Sequence, residues 1–228
     1  ALEDGHKEYI LASRLGLGLL YSELFDFVLA QDHLNQSYAL AKDLDSRTHV
    51  HLSGGCLTFG YLAQGDVNRA QDCLDTLISN QTPMDTLGKR YCWVRQAEIA
   101  LEQGNPEQAL EIIDLLISTA PGFADGDVIT YLWMLKGNAF LQLGSYEEAL
   151  PLLQTSVTNA KKKGERSLLW RAHATLGQLY MTMGCLDSAD EMFGKSKSIV
   201  NEIAATIPDD LMKQNFLKGA YKILPDAM

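Results

Sequence analysis

The chain has 228 residues, 46% of them hydrophobic, and a formal net charge of −10 at pH 7. This length allows one sizeable core or a linear array of small ones. The acidic balance argues against direct binding of nucleic acid, whose phosphates need clustered lysine and arginine. No stretch reaches the roughly 18 to 20 apolar residues of a membrane-spanning helix.

Cysteine usage and the first residue add two expectations about context. The four cysteines (Cys56, Cys73, Cys92 and Cys185) form no CxxC pair. Free thiols in a reducing cytoplasm are therefore the simplest interpretation. The chain begins with Ala1 rather than methionine, which favours a piece of a longer protein.

A repeat of about 40 residues is the main signal in the sequence. Its markers are glycines separated by 39, 40 and 40 positions: Gly65, Gly104, Gly144 and Gly184. Five positions after each glycine stands an alanine: Ala70, Ala109, Ala149 and Ala189. Seven positions before the marker glycine stands a small residue, such as Gly137 or Gly177. Nine positions after it stands an apolar residue, such as Leu153 or Phe193. One period earlier, Phe25 takes the glycine position and Ala30 the alanine position.

Each of these positions has a physical role in a pair of helices. The small residue lets a neighbouring helix approach, and the glycine can end the first helix in the left-handed conformation. Asp66, Asn105 and Ser145 then stand where the second helix needs an N-cap. Ser145 with Glu148 predicts a capping box. The alanine marks the point where the two helices cross.

In chain order, the pattern predicts five helix–turn–helix repeats at about 7–46, 47–86, 87–126, 127–166 and 167–206. Pro208 ends the last long helix, and a short helix over 209–220 has one polar and one apolar face, as a terminal cap requires. The sequence thus predicts a single all-α domain.

Two repeats carry a recognisable signature. Trp133, Gly137, Phe140, Ala149 and Leu153, like Leu176, Gly177, Tyr180, Ala189 and Phe193, resemble tetratricopeptide repeats, and Pro121 matches the closing proline of that family. The resemblance implies a right-handed superhelical solenoid of five repeats plus a C-terminal capping helix. The usual period is about 34 residues. The longer period and the tail after Ile207 resemble the subgroup found in bacterial signalling ATPases of the maltose-regulon activator type, which implies signalling and transcription regulation.

The first helix is apolar on more than one face between Tyr9 and Tyr21. Ile10, Leu11, Leu15, Leu17, Leu19 and Leu20 spread around it, which a solvent-covered terminal helix should not show. We therefore expect either an earlier repeat to cover this helix or the chain to self-associate through its N-terminal repeat.

We find no constellation that supports catalysis, a cofactor or a metal. There is no phosphate-binding GxxxxGK[ST] motif, because Gly194, Lys195 and Ser196 lack the leading glycine. His49, His51 and Cys56 are three scattered groups with no fourth ligand. The sequence therefore predicts a protein that is not an enzyme.

The resemblance also implies a concave surface lined by the first helix of each repeat. Counted as in that family, groove positions include Glu23, Phe59 and Glu102, and the residues most suited to a ligand are Tyr91, Arg95, Glu98, Tyr131, Asn138, Gln142, Arg171 and Gln178. Arginine and amide groups fix carboxylates and backbone groups, while tyrosines supply contact area. The lysine and asparagine of the family's carboxylate clamp are missing from the first repeat.

Two functions remain open at this point. The chain is either a protein-interaction or ligand-sensing module of a larger cytosolic regulator, binding a peptide, a partner domain or a small effector, or a passive structural scaffold in an assembly. The polar groove residues could equally do no more than solvate an unused face.

We expect the chain not to bind duplex DNA at physiological salt, because a net charge of −10 repels the phosphate backbone. An electrophoretic mobility shift assay tests this, and a salt-sensitive shift would contradict it.

Overall fold

The computed structural model describes residues 2–120 and 129–225, and every regular element within them is an α-helix. The eleven helices in these ranges are α1 Leu2–Glu23, α2 Phe27–Asp43, α3 Arg47–Ala63, α4 Val67–Asp75, α5 Leu87–Glu102, α6 Pro106–Ser118, α7 Thr130–Gln142, α8 Tyr146–Lys163, α9 Arg166–Thr182, α10 Leu186–Ala205 and α11 Asp210–Ile223. The predicted all-α class is confirmed. Pro121 lies outside the described residues. None of the described helices has the length and apolarity to cross a membrane.

The chain divides into two compact units, residues 1–108 and 109–228. In the first unit, α1 packs on α2 and α3, and α3 packs on α4 and α5. In the second, α7 packs on α8, α8 on α9, and α9 on α10, with α11 against α10. One apolar cluster of the second unit includes Met134, Leu153, Leu176 and Leu179.

A left-handed turn joins the two helices of each pair. The four marker glycines have φ values of +78°, +73°, +74° and +76°. Around Gly65, the Asp66 N–H donates to the Tyr61 carbonyl at 3.0 Å and the Gly65 N–H donates to the Leu62 carbonyl at 2.8 Å. This pair of bonds is a Schellman motif, which satisfies carbonyls that a helix end leaves open. Phe25 takes the same conformation, with φ +58°, although it has a side chain.

Close approach in the pairs α7–α8 and α9–α10 depends on a glycine of the first helix. A Cβ atom added to Gly137 would lie 2.6 Å from the Leu153 side chain, and one added to Gly177 would lie 2.7 Å from Phe193. The crossing-point alanines are fully buried: Ala30, Ala70, Ala109, Ala149 and Ala189. The two helices of a pair therefore touch through backbone and small side chains, with a large apolar side chain covering the gap.

Buried serines add a second contact that the sequence analysis did not assign. Ser156 donates to the Thr130 carbonyl at 3.1 Å, and Ser196 donates to the Trp170 carbonyl at 2.7 Å. Ser37 makes the same bond to the Leu11 carbonyl at 3.2 Å. In each case a hydroxyl of the second helix bonds to a backbone carbonyl of the first, because the hydroxyl lies in the core and needs a partner there.

The N-caps follow the prediction only in part. The carboxylates of Asp66 and Asp209 accept the N–H groups that a cap should satisfy. Ser145 occupies the N-cap position of α8 but makes no side-chain capping bond, so the predicted capping box is wrong. The backbone N–H that Glu148 would need is already donated to the Phe140 carbonyl in the preceding turn.

Helix α11 spans a slightly longer range than the predicted cap and buries Phe216 and Ala220. Leu211, an apolar residue near its start, is exposed.

We expect Ala149→Leu to lower the free energy of unfolding by roughly 1–3 kcal/mol, because the crossing point has no room for three more carbon atoms. Urea denaturation followed by circular dichroism measures the change. Glu147→Leu, two residues earlier on the exposed face of α8, is the matched control and should cost less than about 0.5 kcal/mol. Equal effects at the two positions would show that the alanine does not mark the crossing point.

Candidate partner-binding surface

In the first unit, α5 carries Tyr91, Arg95 and Glu98. The Arg95 Nη1 atom lies 2.9 Å from the Glu98 carboxylate, and the two side chains are only 3% and 11% exposed. The Arg95 guanidinium also lies 4.7 Å from the ring centre of Tyr91 and 4.9 Å from that of Phe59 on α3. Aromatic faces attract a cation held at such distances. The predicted charges therefore form a buried, mutually neutralising pair, and not an open charged surface.

Burial also controls the titratable groups beside this pair. It raises the pKa of Cys56 to about 11 and that of Cys92 to about 12, while the positive charge of Arg95 opposes both increases. Burial raises the pKa values of Cys73 and Tyr91 as well. All these groups are protonated at neutral pH, so the three thiols are poor nucleophiles.

The imidazoles near this cluster have structural partners. His49 bonds through Nδ1 to the Ser46 hydroxyl at 2.7 Å, and His51 bonds through Nδ1 to the Arg47 carbonyl at 2.7 Å. Within the described part of the chain, no three groups of metal-ligating type lie close enough together to hold an ion.

In the second unit, the candidate residues lie on α7 and α9, which pack against each other. Tyr131, Asn138 and Gln142 follow one face of α7, since positions seven and eleven residues apart point the same way. Arg171 and Gln178 have the same seven-residue spacing on α9. Gln142 and Gln178 are exposed, and the other three are half-buried. Tyr131 and Asn138 stand one period before Arg171 and Gln178, so the two helices present equivalent positions side by side.

Arg171 is held in place by its own helix. Its Nη1 atom donates to the Ser167 carbonyl at 3.0 Å and lies 2.5 Å from the Ser167 hydroxyl. Its guanidinium carbon lies 4.5 Å from the ring centre of Trp170. A cation that is already oriented loses less side-chain entropy when it binds a partner.

The remaining groove positions differ in access. Glu23 and Phe59 are half-buried, and Glu102 is exposed at the end of α5. The structure thus places polar groups on α7 and α9 in one unit and a closed ion pair on α5 in the other.

Sequence reasoning missed two buried polar groups on α9. The Trp170 Nε1 and His173 Nδ1 atoms are buried and have no hydrogen-bond partner. Burial lowers the pKa of His173, with help from Lys195 and Lys161 and against the effect of Glu191, so the imidazole is neutral at pH 7. Neither residue belongs to a motif, so the sequence carried no signal for them.

Comparison with protein families supports the repeat assignment. Residues 60–124 match one model of the tetratricopeptide repeat, and residues 130–163 match another. The resemblance to this repeat is therefore confirmed for these segments. No curated protein matches the chain.

Solved structures show the same fold. A thermophilic tetratricopeptide repeat protein of Thermus thermophilus matches with a TM-score of 0.58 at 19% identity, over 92% of this chain and 99% of its own. The nearly identical repeats of a protein described as a kinesin light chain, from Podosopora anserina, match with a TM-score of 0.52 at 18% identity, over 86% and 97%.

A third structure comes from a larger protein. A signal transduction ATPase with numerous domains from Pyrococcus horikoshii, which has a tetratricopeptide repeat sensor, matches with a TM-score of 0.53 at 15% identity, over 87% of this chain and 30% of its own. At these identities the likeness establishes a solenoid fold of the tetratricopeptide type. Such repeats generally mediate protein–protein interaction and are typically non-catalytic.

We expect Glu98→Ala to lower the free energy of unfolding by roughly 3 kcal/mol, because it removes the carboxylate that lies 2.9 Å from the buried Arg95 guanidinium. Denaturant unfolding monitored by tryptophan fluorescence measures the loss. The double variant Arg95→Met with Glu98→Leu removes both charges and should be less destabilised than Glu98→Ala alone. A double variant that is less stable than the single one would contradict this account.

Proposed function

We propose that the chain is the protein-interaction or ligand-sensing module of a larger regulatory protein, and that it binds a peptide or partner domain through the first helices of its repeats. The observation that carries the proposal is the set of polar groups on α7 and α9, where Asn138 and Gln178 occupy equivalent positions of neighbouring first helices and Arg171 lies seven residues before Gln178. Amides and a fixed guanidinium suit the backbone and carboxylate groups of an extended peptide.

The α5 pair contributes in a different way. Because Arg95 and Glu98 neutralise each other and are only 3% and 11% exposed, they offer a partner no open charge and act by holding the shape of this part of α5. A ligand for the α7 and α9 residues is therefore expected to be polar and hydrogen-bonding, with at most one carboxylate, for Arg171. A small polar effector meets the same description and is the second ligand class that we propose.

The regulatory setting rests on two observations. The Pyrococcus ATPase joins a tetratricopeptide repeat sensor to a multidomain ATPase, and this chain matches it over a minor part of its length. The period of about 40 residues also resembles the subgroup of the maltose-regulon activator type. We propose a cytoplasmic location, because all four cysteines are free thiols.

A passive scaffold is the alternative. It uses the same fold but needs no ligand at Asn138 or Gln178, since those amides would then only solvate the surface. Binding by the isolated chain distinguishes the two functions.

The test is a screen of an immobilised peptide array with the purified chain, followed by titration of the best peptide. We expect Asn138→Ala and Gln178→Ala each to weaken binding about five- to tenfold, because each loses a hydrogen bond worth about 1 kcal/mol. Isothermal titration calorimetry measures the affinity. Gln214→Ala, an exposed amide on α11, is the matched control and should bind as the unaltered chain does. Failure to bind any peptide, or equal binding by all variants, favours the scaffold.

A further inference from the structure

The outward face of α1 carries side chains at alternating spacings of four and three residues. His6, Ile10, Ser13, Leu17 and Leu20 follow this spacing, and we call them the N-terminal seam. A spacing of this kind keeps one stripe of a helix facing a partner helix along its length. The seam therefore has the pattern of a helix–helix contact.

The seam is open in the structure. Ile10, Leu17 and Leu20 are 47%, 38% and 53% exposed, and the neighbouring Tyr9 is 78% exposed. A shallow, open groove of about 570 Å³ lies along this face and is lined by α1 side chains alone: His6, Tyr9, Ile10, Ser13, Arg14 and Leu17. Exposed apolar side chains that adjoin one another usually mark an interface.

The opposite face of α1 is already used within its own unit. Leu11 and Leu15 are buried, and a Cβ atom added to Gly18 would lie 2.5 Å from the Leu34 side chain on α2. The sequence analysis grouped Leu11 and Leu15 with the outward residues, and the structure separates them. Since α2 fixes this side of α1, the seam is left as a defined surface on an anchored helix.

Among the α1 side chains that the structure describes, from residue 6 onward, one edge of the seam is positively charged. Lys7 and Arg14 each follow a seam residue by one position, so they lie seven residues apart on the same edge. The Arg14 Nη1 atom lies 2.9 Å from Nδ1 of His33, whose ring stacks on Tyr21 with 5.4 Å between ring centres. This contact holds the guanidinium at the groove without cancelling its charge. Glu8 lies more than a quarter of a turn away, toward the opposite face.

We propose that the N-terminal seam binds an acidic amphipathic helix of a partner protein. Its apolar side chains fill the groove over Ile10 and Leu17, and its carboxylates lie along the edge that carries Lys7 and Arg14. This surface is separate from the polar groups of α7 and α9, so the inference goes beyond the function proposed above.

The same charges argue against a second copy of the chain, which the sequence analysis had kept as one interpretation. In an antiparallel pair related by a two-fold axis, like edges of the helices meet, so Lys7 and Arg14 would face the positive edge of the other copy. In a parallel pair they would face the edge of Tyr9 and Gly16, whose described carboxylate, Glu23, lies nine residues beyond Arg14 at the end of the helix. Like charges at an interface cost affinity, whereas opposite charges favour it.

The test uses two labelled synthetic helical peptides about three heptads long. Both carry leucine at the a and d positions, and their flanking positions hold glutamate in one and lysine in the other. Fluorescence anisotropy with the full chain measures the affinities. We expect the glutamate peptide to bind about tenfold more tightly, since two ion pairs replace two repulsions.

Three variants locate the binding. Leu17→Ser should weaken the glutamate peptide about tenfold, because it removes a side chain from the groove. Arg14→Glu should abolish the preference, because the positive charge of Lys7 and the carboxylate at position 14 then favour opposite peptides. Val28→Ser, an exposed apolar residue on α2 outside the seam, is the matched control and should change nothing. Circular dichroism verifies that each variant keeps its helices.

Several results would overturn the proposal. These are equal affinity for both peptides, binding that survives Leu17→Ser, and binding lost in Asn138→Ala, which would move the contact to the polar surface. Sedimentation velocity supplies the remaining arm: a dimer of the chain that Leu17→Ser dissociates would identify a second copy as the occupant. Loss of peptide-array binding leaves these results unaffected, so the two proposals fail independently.

Discussion

In the pairs α1–α2, α7–α8 and α9–α10, a glycine of the first helix lies beneath a large apolar side chain of the second, and the separation of the two helices follows from that fit. Gly137 under Leu153 and Gly177 under Phe193 show the contact in the second unit. The left-handed turn orients the second helix so that this contact can form. The alanine at the crossing point is too small to separate the two helices. Because the second helix covers only one face of the first, another face of the first helix stays available for other contacts.

Much of this arrangement follows from the sequence, because its causes are local and repeat. The glycine positions predict the turns, and Phe25 was assigned to such a position although it is not glycine. The local pattern does not predict which hydrogen-bond partners the buried polar side chains find inside the pairs. Ser37, Ser156 and Ser196 look like ordinary helix-surface residues until the first helix brings a carbonyl within reach. Likewise, the capping box at Ser145 fails because a bond across the turn takes the N–H that it needs.

The candidate surface shows the same division. Spacing along the helices is enough to place Asn138 and Gln178 on first helices at equivalent positions. It does not reveal that Arg95 is enclosed by Phe59 and Glu98, since Phe59 lies on another helix and its distance depends on packing. Two arginines that look alike in the sequence therefore lie in different environments. Arg95 is buried against Glu98, whereas Arg171 is half-buried on α9.

Phe25 and Asp45, at the two ends of α2, hold positive φ values without being glycine. Residues other than glycine are strained there by about 1–3 kcal/mol, with aspartate at the lower end. In a chain of stacked pairs, where each element is stabilised mainly by its neighbours, such strain lowers the free energy of opening locally. The hairpin of α1 and α2 is therefore the natural first step of partial unfolding, and its amides would exchange with solvent before those of the glycine-turned pairs.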